Sequence, residues 1–304
     1  MIRELLVKQT SWVSITNPGK NDLDTLRSQF SDIHPLIIND LRTPTIRPLA
    51  EVYDQEFYMV MHFPTFLSQK NKVHVREIDF ILRRETLISV QYGAIPELEE
   101  VWNECAQNKE EITQYSQTSA HLLYYLMRRF FSKMLLELDQ IQAAIDKSEE
   151  EVFNGREKEI FTDITLLKRD LLDYSRALKP QRIILETLIE KGSELYGATA
   201  LPFLSAILSE YTRVASLLEN HKEALDALYD TTSSQLATKT NEIMRVFTIL
   251  AFITFIPTIV ANIYGMNIDR MPFISDQNAF WTVIGIMTIL TLSVYLVLKW
   301  RKLV

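Results

Sequence analysis

Cysteine is almost absent from this chain of 304 residues: the lone Cys105 leaves no intramolecular disulfide and fits a reducing compartment. Positive charge is also in short supply. Against 39 Asp and Glu there are 32 Lys and Arg, and the net charge of −7 argues against a grip on nucleic acid. No Walker loop or glycine-rich phosphate cradle occurs, so no nucleotide is expected as partner or energy source. The histidines, His34, His62, His74, His121 and His221, are scattered and form no pocket constellation with Cys or paired carboxylates, which weighs against an enzyme. Met1 to Val7 lacks a long apolar core and a small-residue cleavage site, so no signal peptide is expected and the soluble part is expected in the cytoplasm. Two absences are local. No Gly or Pro occurs between Phe203 and Ile256, which predicts an unbroken helix. After Arg245 no ionisable side chain except Tyr264 appears before Asp269. That run of roughly twenty apolar residues is long enough to cross about 30 Å of hydrocarbon.

The apolar run is not uniform. Asn241, Met244, Thr248, Ala251, Phe255, Thr258 and Asn262 recur at steps of three and four, so they fall on one helical face. Ile249, Leu250, Ile253, Ile256, Ile259 and Val260 cover the others. A lengthwise row of amides and hydroxyls suits a helix beside a water-filled path. It equally suits a helix–helix contact, since Thr and Asn also join membrane helices. Spacing alone leaves both readings open.

Up to about Ala94 the pattern is short and mixed. Glu4 to Lys8, Trp12 to Thr16, Arg47 to Val52, Phe57 to Phe63, His74 to Arg83 and Thr86 to Tyr92 read as strands, with a turn at Asn17-Pro18-Gly19 and a hairpin tip at Glu85-Thr86. Asn21 or Asp22 is expected to cap a helix through Phe30, and a second helix covers Pro35 to Leu41. The fold class is thus a mixed α+β domain with a largely antiparallel sheet flanked by helices. His62, His74, Glu77 and Asp79 are read as the solvated face of a strand rather than a metal or catalytic site.

From Thr118 onward the chain turns helical. Leu123, Leu126, Phe130, Met134, Leu138, Ile141 and Ile145 form a seam on one long helix, expected to stop at Asn154-Gly155. A returning helix is expected from Glu157 to Leu195, with Ile160, Ile164, Leu167, Leu171, Leu178 and Ile183 inward and a kink at Pro180. Asp146 and Glu149 to Glu151 read as an exposed acidic tip. Leu208, Tyr211, Ala215, Leu218, Ala224, Leu225, Leu228, Ser233, Leu236 and Thr240 belong to a stalk helix expected to start near Phe203 and run into the apolar stretch.

That stretch ends in Tyr264-Gly265-Met266-Asn267, followed by a short loop and a second hydrophobic segment near the end of the chain. A Gly-Met-Asn triplet in this position resembles the signature of the CorA family of divalent-cation channels. Thr240 to Met244, Met271-Pro272, Leu167 to Leu172 and Arg176 to Pro180 resemble the same family. The resemblance implies three parts: a cytosolic α/β domain over 1–115, long cytosolic helices over 116–240, and a transmembrane domain over 241–304. Within the last, spans are expected at about 243–263 and 279–298, joined by an outer loop at 264–278. Trp281 and Trp300 stand at interface positions, and Lys239, Arg245, Lys299, Arg301 and Lys302 place both termini in the cytosol of a multi-pass cell-membrane protein.

The resemblance further implies a homopentamer in the lipid bilayer that takes up Mg²⁺, with Co²⁺ and Ni²⁺ as further cargo, driven by the membrane potential. No resident cofactor is implied, and Mg²⁺ is the transported ion. Gly265, Met266 and Asn267 would form the selectivity filter, with Asn267 meeting the metal through its water. Asn241, Met244, Thr248, Ala251, Phe255, Thr258 and Asn262 would line the pore. Met244, Phe247 and Phe255 would form apolar constrictions. Phe273 stands where the family commonly has an acid, and outer attraction then rests on Asp269 and Asp276. The family's acidic stalk residue is missing around Phe203 to Ile207, with Glu210 the nearest acid, so the cytosolic sensing site is unassigned. Two rival classes are a Zn²⁺ transporter on the same scaffold and a two-span membrane-anchored sensor or enzyme.

Overall fold

The computed structural model describes residues 2–53, 55–67, 72–107, 118–266, 272 and 278–300. The chain divides into two compact units, Met1–Tyr229 and Asp230–Val304.

The first unit is built on a six-stranded sheet in the order β1-β2-β6-β5-β4-β3. The strands are β1 (Ile2–Val7), β2 (Thr10–Thr16), β3 (Leu49–Tyr53), β4 (Glu56–Leu67), β5 (Lys72–Arg83) and β6 (Thr86–Gln91). All neighbours are antiparallel except β2 and β6, which run parallel with Trp12 opposite Leu87. Period-two alternation sends Trp12, Phe57, Met59, Met61, Ile78, Phe80 and Leu82 to one face, and Val13, Ile15, Tyr58, Val60, Ile81 and Ile88 to the other. Both faces are covered. Helices α1 (Lys20–Gln29) and α2 (Pro35–Asp40) close the second face with Leu23, Leu26, Ile37 and Ile38. The first face packs on α3 (Pro96–Ala106) and the long helices beyond it. Trp12 joins the layers: its indole N–H donates to Ser89 Oγ at 2.9 Å, and its ring lies 4.9 Å from that of Trp102 on α3.

Neither Asn21 nor Asp22 is the N-cap of α1. That position is Gly19, and Asp22, one turn inside, accepts the Gly19 backbone N–H at 3.0 Å. A carboxylate there satisfies an amide with no helical partner and meets the positive end of the helix dipole. The hydrogen bond holds Asp22 below its usual pKa.

Helix α4 (Ser119–Phe153) buries the whole predicted seam, and Asn154 and a left-handed Gly155 (φ 84°) end it. The return differs from expectation. Pro180 breaks it rather than kinking it, giving α5 (Glu157–Leu178) and α6 (Gln181–Tyr196), with Pro180 itself as the cap of α6. The buried positions Tyr174, Leu178, Gln181, Leu185 and Leu188 keep steps of three and four across the break, so Ile183, five residues past Leu178, falls outward, 69% exposed. Leu204, Ile207, Tyr211, Val214, Leu218, Leu225 and Leu228, on α7 (Leu201–Tyr264), continue the same core at alternating steps of three and four. His221 fixes the register there: its Nε2 lies 3.1 Å from the Leu138 carbonyl, and burial lowers its pKa.

The second unit comprises the remainder of α7 and α8 (Ala279–Trp300). Both elements are long and apolar enough to cross a membrane, and their apolar surface is almost wholly unburied by the chain itself. Phe247, Phe255, Ile289 and Leu296 are all more than half exposed. Such surface needs lipid or another chain to cover it.

Candidate functional site

Burial divides the membrane part of α7 into two opposed faces. Ile249, Ile253, Ile256, Pro257, Val260 and Tyr264 are the less exposed residues, at the spacing of one stripe. Ile253 and Pro257 share a groove with Ile284, Met287, Thr288, Thr291, Leu292 and Tyr295 of α8. This stripe is therefore where the two spans meet. At 100° per residue, the polar stripe is centred about half a turn away. Every member of it, Asn241, Met244, Thr248, Ala251, Phe255, Thr258 and Asn262, is exposed. Its amides and hydroxyls consequently do not join α7 to α8. From Asn241 to Asn262 the row extends about 32 Å at 1.5 Å per residue. Phe247, also exposed, stands to the side of the row, about 60° from its centre.

The hydroxyls have a defined polarity. Thr248 donates to the Met244 carbonyl and Thr258 to the Thr254 carbonyl, each at 2.8 Å. With the proton spent inside the helix, what each hydroxyl turns outward is lone pairs. At Thr248 and Thr258 the stripe thus presents acceptors outward, and it carries no formal charge along its length.

At the end of α7, Gly265 N–H donates to the Ala261 carbonyl at 2.8 Å. Its backbone is not left-handed; the need for glycine comes from crowding, since a Cβ would lie 3.1 Å from the Ala261 oxygen. Met266 follows, 55% exposed. Asn267, like Asp269 and Asp276, lies outside the described residues. Pro257 sits inside α7 and has no amide proton, so the Ile253 carbonyl loses its helical donor.

The acidic tip is exposed at Asp146, Glu149 and Glu150, and Glu151 is held by Arg156 at 2.7 Å. Among the described residues no group of three or more His, Cys, Asp or Glu is arranged to hold a metal ion.

One expectation fails in the cytosolic unit. Asp79 is completely buried and Glu77 and His62 nearly so, in place of a solvated face. On β5 the alternation sends Glu77, Asp79 and Ile81 together toward α1 and α2, a layer that a strand read in isolation does not reveal. Asp79 Oδ2 accepts the hydroxyls of Tyr58 at 3.1 Å and Tyr92 at 3.0 Å, while Oδ1 is buried with no hydrogen-bond donor. Glu77 receives the Thr45 backbone N–H on both oxygens, at 2.7 and 2.9 Å, and His62 Nε2 lies 3.3 Å from it. Desolvation, then the adjacent Glu77 charge, push the Asp79 carboxyl up to about 8.

Two helices of membrane-spanning length and a sheet covered by helices on both faces define a two-pass membrane protein with a soluble part. A family model described as CorA-like Mg²⁺ transporter protein matches residues 7–300, and the chain belongs to that family. The cobalt/magnesium transport protein CorA of Thermotoga maritima is 25% identical over 292 residues, 96% of this chain and 83% of that protein. The complete structure of the CorA magnesium transporter from Methanocaldococcus jannaschii superposes with a TM-score of 0.81 at 17% identity, covering 96% of this chain and 90% of that one. The ZntB cytoplasmic domain from Vibrio parahaemolyticus shares the fold of the soluble part, with a TM-score of 0.60 at 16% identity over 76% of this chain and 90% of that one. The protein is a divalent-cation transporter and not an enzyme.

Proposed function

We propose that copies of this chain assemble as a homopentamer around a path lined by Asn241, Met244, Thr248, Ala251, Phe255, Thr258 and Asn262, and pass hydrated Mg²⁺ inward. Co²⁺ and Ni²⁺ are further cargo. The observation that carries this reading is the half-turn separation between the polar stripe and the face that meets α8. Two helices cannot enclose a conduit, so an outward acceptor stripe calls for other copies. Mg²⁺ gives up its water reluctantly and usually keeps several molecules when bound. Those waters point hydrogens outward and need acceptors, which is what the Thr lone pairs and Asn carbonyls supply.

Gly265, Met266 and Asn267 form the outer filter in this reading, with Asn267 first to meet the hydrated ion. Met244 and Phe255, with Phe247 turned inward by a small rotation, narrow the path with apolar rings that shed water. A double charge moving to a negative interior gains about 4.6 kcal/mol per 100 mV, so the membrane potential suffices as the energy source. The name of the Thermotoga maritima relative supports Mg²⁺ and Co²⁺ as cargo.

The test is Mg²⁺ flux into proteoliposomes under an imposed potential, with subunit stoichiometry measured on the same preparation. Asn267→Ala is expected to abolish uptake; unaltered uptake removes Asn267 from the mechanism, and flux through a monomer overturns the assembly. A Zn²⁺ cargo draws on fold likeness to ZntB alone. Faster Zn²⁺ than Mg²⁺ flux in this assay would favour it.

A further inference from the structure

Two carboxylates, Glu77 and Asp79, stand on one buried face of β5. Asp79 Oδ1 has no donor, and both oxygens of Glu77 are already engaged by the Thr45 N–H. Glu77 and Asp79 stand two residues apart on β5, so the pleat turns both side chains to the same face. With both ionised, two like charges would face each other in a layer otherwise packed with Leu23, Leu26, Ile37 and Ile38. A proton on Asp79 resolves both problems, because it supplies the missing donor and removes one charge.

Glu77 is also a fastener. It holds the Thr45 N–H while His62 Nε2 sits 3.1 Å from the Thr45 carbonyl, so both polar groups of one peptide residue are gripped from the sheet. Thr45 lies in the connection between α2 and β3, flanked by Pro44 and Pro48 and followed by Ile46, 93% exposed. Neither proline has an N–H to donate, so the Thr45 amide is a principal anchor of this segment.

We propose that Asp79 holds a proton beside the Glu77 carboxylate and that this proton latches the 42–48 segment to the sheet, making the cytosolic unit responsive to alkaline pH. The titratable groups around the pair are Tyr58 and His62 on β4, Tyr92 beyond β6, and Asp40 at the end of α2, whose charge acts on both phenols. Tyr58 and Tyr92 are kept protonated by burial and the Asp79 carboxyl, and serve as its donors. The raised pKa of Asp79, about 8, agrees with the geometry. Losing the proton puts the Glu77 carboxylate against a second full charge and drives it off the Thr45 amide.

The full-length protein in detergent tests this through hydrogen exchange at residues 42–48 between pH 6 and pH 9.5. After correction for the intrinsic rate, opening is expected to rise toward tenfold per pH unit above about 8. Asp79→Asn, neutral at every pH, should flatten that slope and keep the segment protected at pH 9.5. Infrared spectroscopy of the unmodified protein supplies a second measurement that does not depend on the variant folding: a buried protonated carboxyl band at pH 7 that fades as pH rises through about 8. Absence of that band at pH 7, or an Asp79→Asn slope equal to the parent's, overturns the latch.

Discussion

Replacing Thr258 with valine tests the acceptor stripe at a point where shape is conserved and only chemistry changes. The lost hydroxyl donates to the Thr254 carbonyl, so its removal leaves the helix backbone ladder in place. On the proposed path, what disappears is an outward acceptor toward the water carried by the ion. One such hydrogen bond has a net worth of about 0.5–1.5 kcal/mol. At about 1.4 kcal/mol per factor of ten, losing one contact at the rate-limiting position slows flux by roughly 2- to 12-fold. The matched control is Thr288→Val on α8, whose hydroxyl donates to the Ile284 carbonyl at 2.8 Å and which lines the groove where the spans meet. Initial Mg²⁺ flux at fixed potential, normalised to reconstituted protein, is the assay. Unchanged flux in Thr258→Val, or an equal loss in Thr288→Val, refutes the assignment of the stripe to the ion's path.

The buried Cys105 thiol, 2% exposed and pushed up to about 12 by burial, should resist iodoacetamide at pH 8 and react only on unfolding; rapid labelling of the native protein would contradict that packing. Gly192→Ala places a Cβ 2.6 Å from Leu204 Cδ1, and the overpacking, about 1–3 kcal/mol, outweighs about 1 kcal/mol gained in helix propensity. A lowered thermal midpoint is expected, and a raised one would mean that Leu204 yields freely. For Asp79 the sign follows from its folded pKa of about 8 lying above the unfolded carboxyl's ~4. The native state then holds an extra proton between those values, so this group's stabilisation is complete below about pH 4 and falls toward pH 8 by up to about 1.4 kcal/mol per unit. Thermal unfolding of the parent should therefore lose stability with rising pH more steeply than that of Asp79→Asn, and parallel curves would refute the linkage.

Residue pattern announces some of this architecture and hides the rest, for identifiable reasons. The α4 seam is legible because seven apolar residues keep one helical period without interruption, and Asn154-Gly155 marks its end. Ile183 misleads because it is apolar yet stands five residues past Leu178, off the three-and-four spacing that Gln181, Leu185 and Leu188 keep across Pro180. Asp79 misleads differently: an acid between two apolar residues on a strand reads as solvent-facing until α1 and α2 are laid over it. Along the membrane run, spacing placed seven residues on one face but left open what that face meets. Only the location of the α8-facing stripe separates a contact within the chain from a surface turned elsewhere.

A helix whose every rung is closed bends as one stiff beam, but the first span is not such a beam. At Pro257 the ladder is missing a tie, and the turns that carry Thr258, Asn262 and Gly265 are fastened to those below by one bond fewer. Compliance is thereby concentrated about 10 Å short of the Tyr264 end, by the rise per residue. The outermost portion can tilt without forcing the same tilt on Met244 and Thr248, so the inclinations of the two portions are mechanically separate quantities.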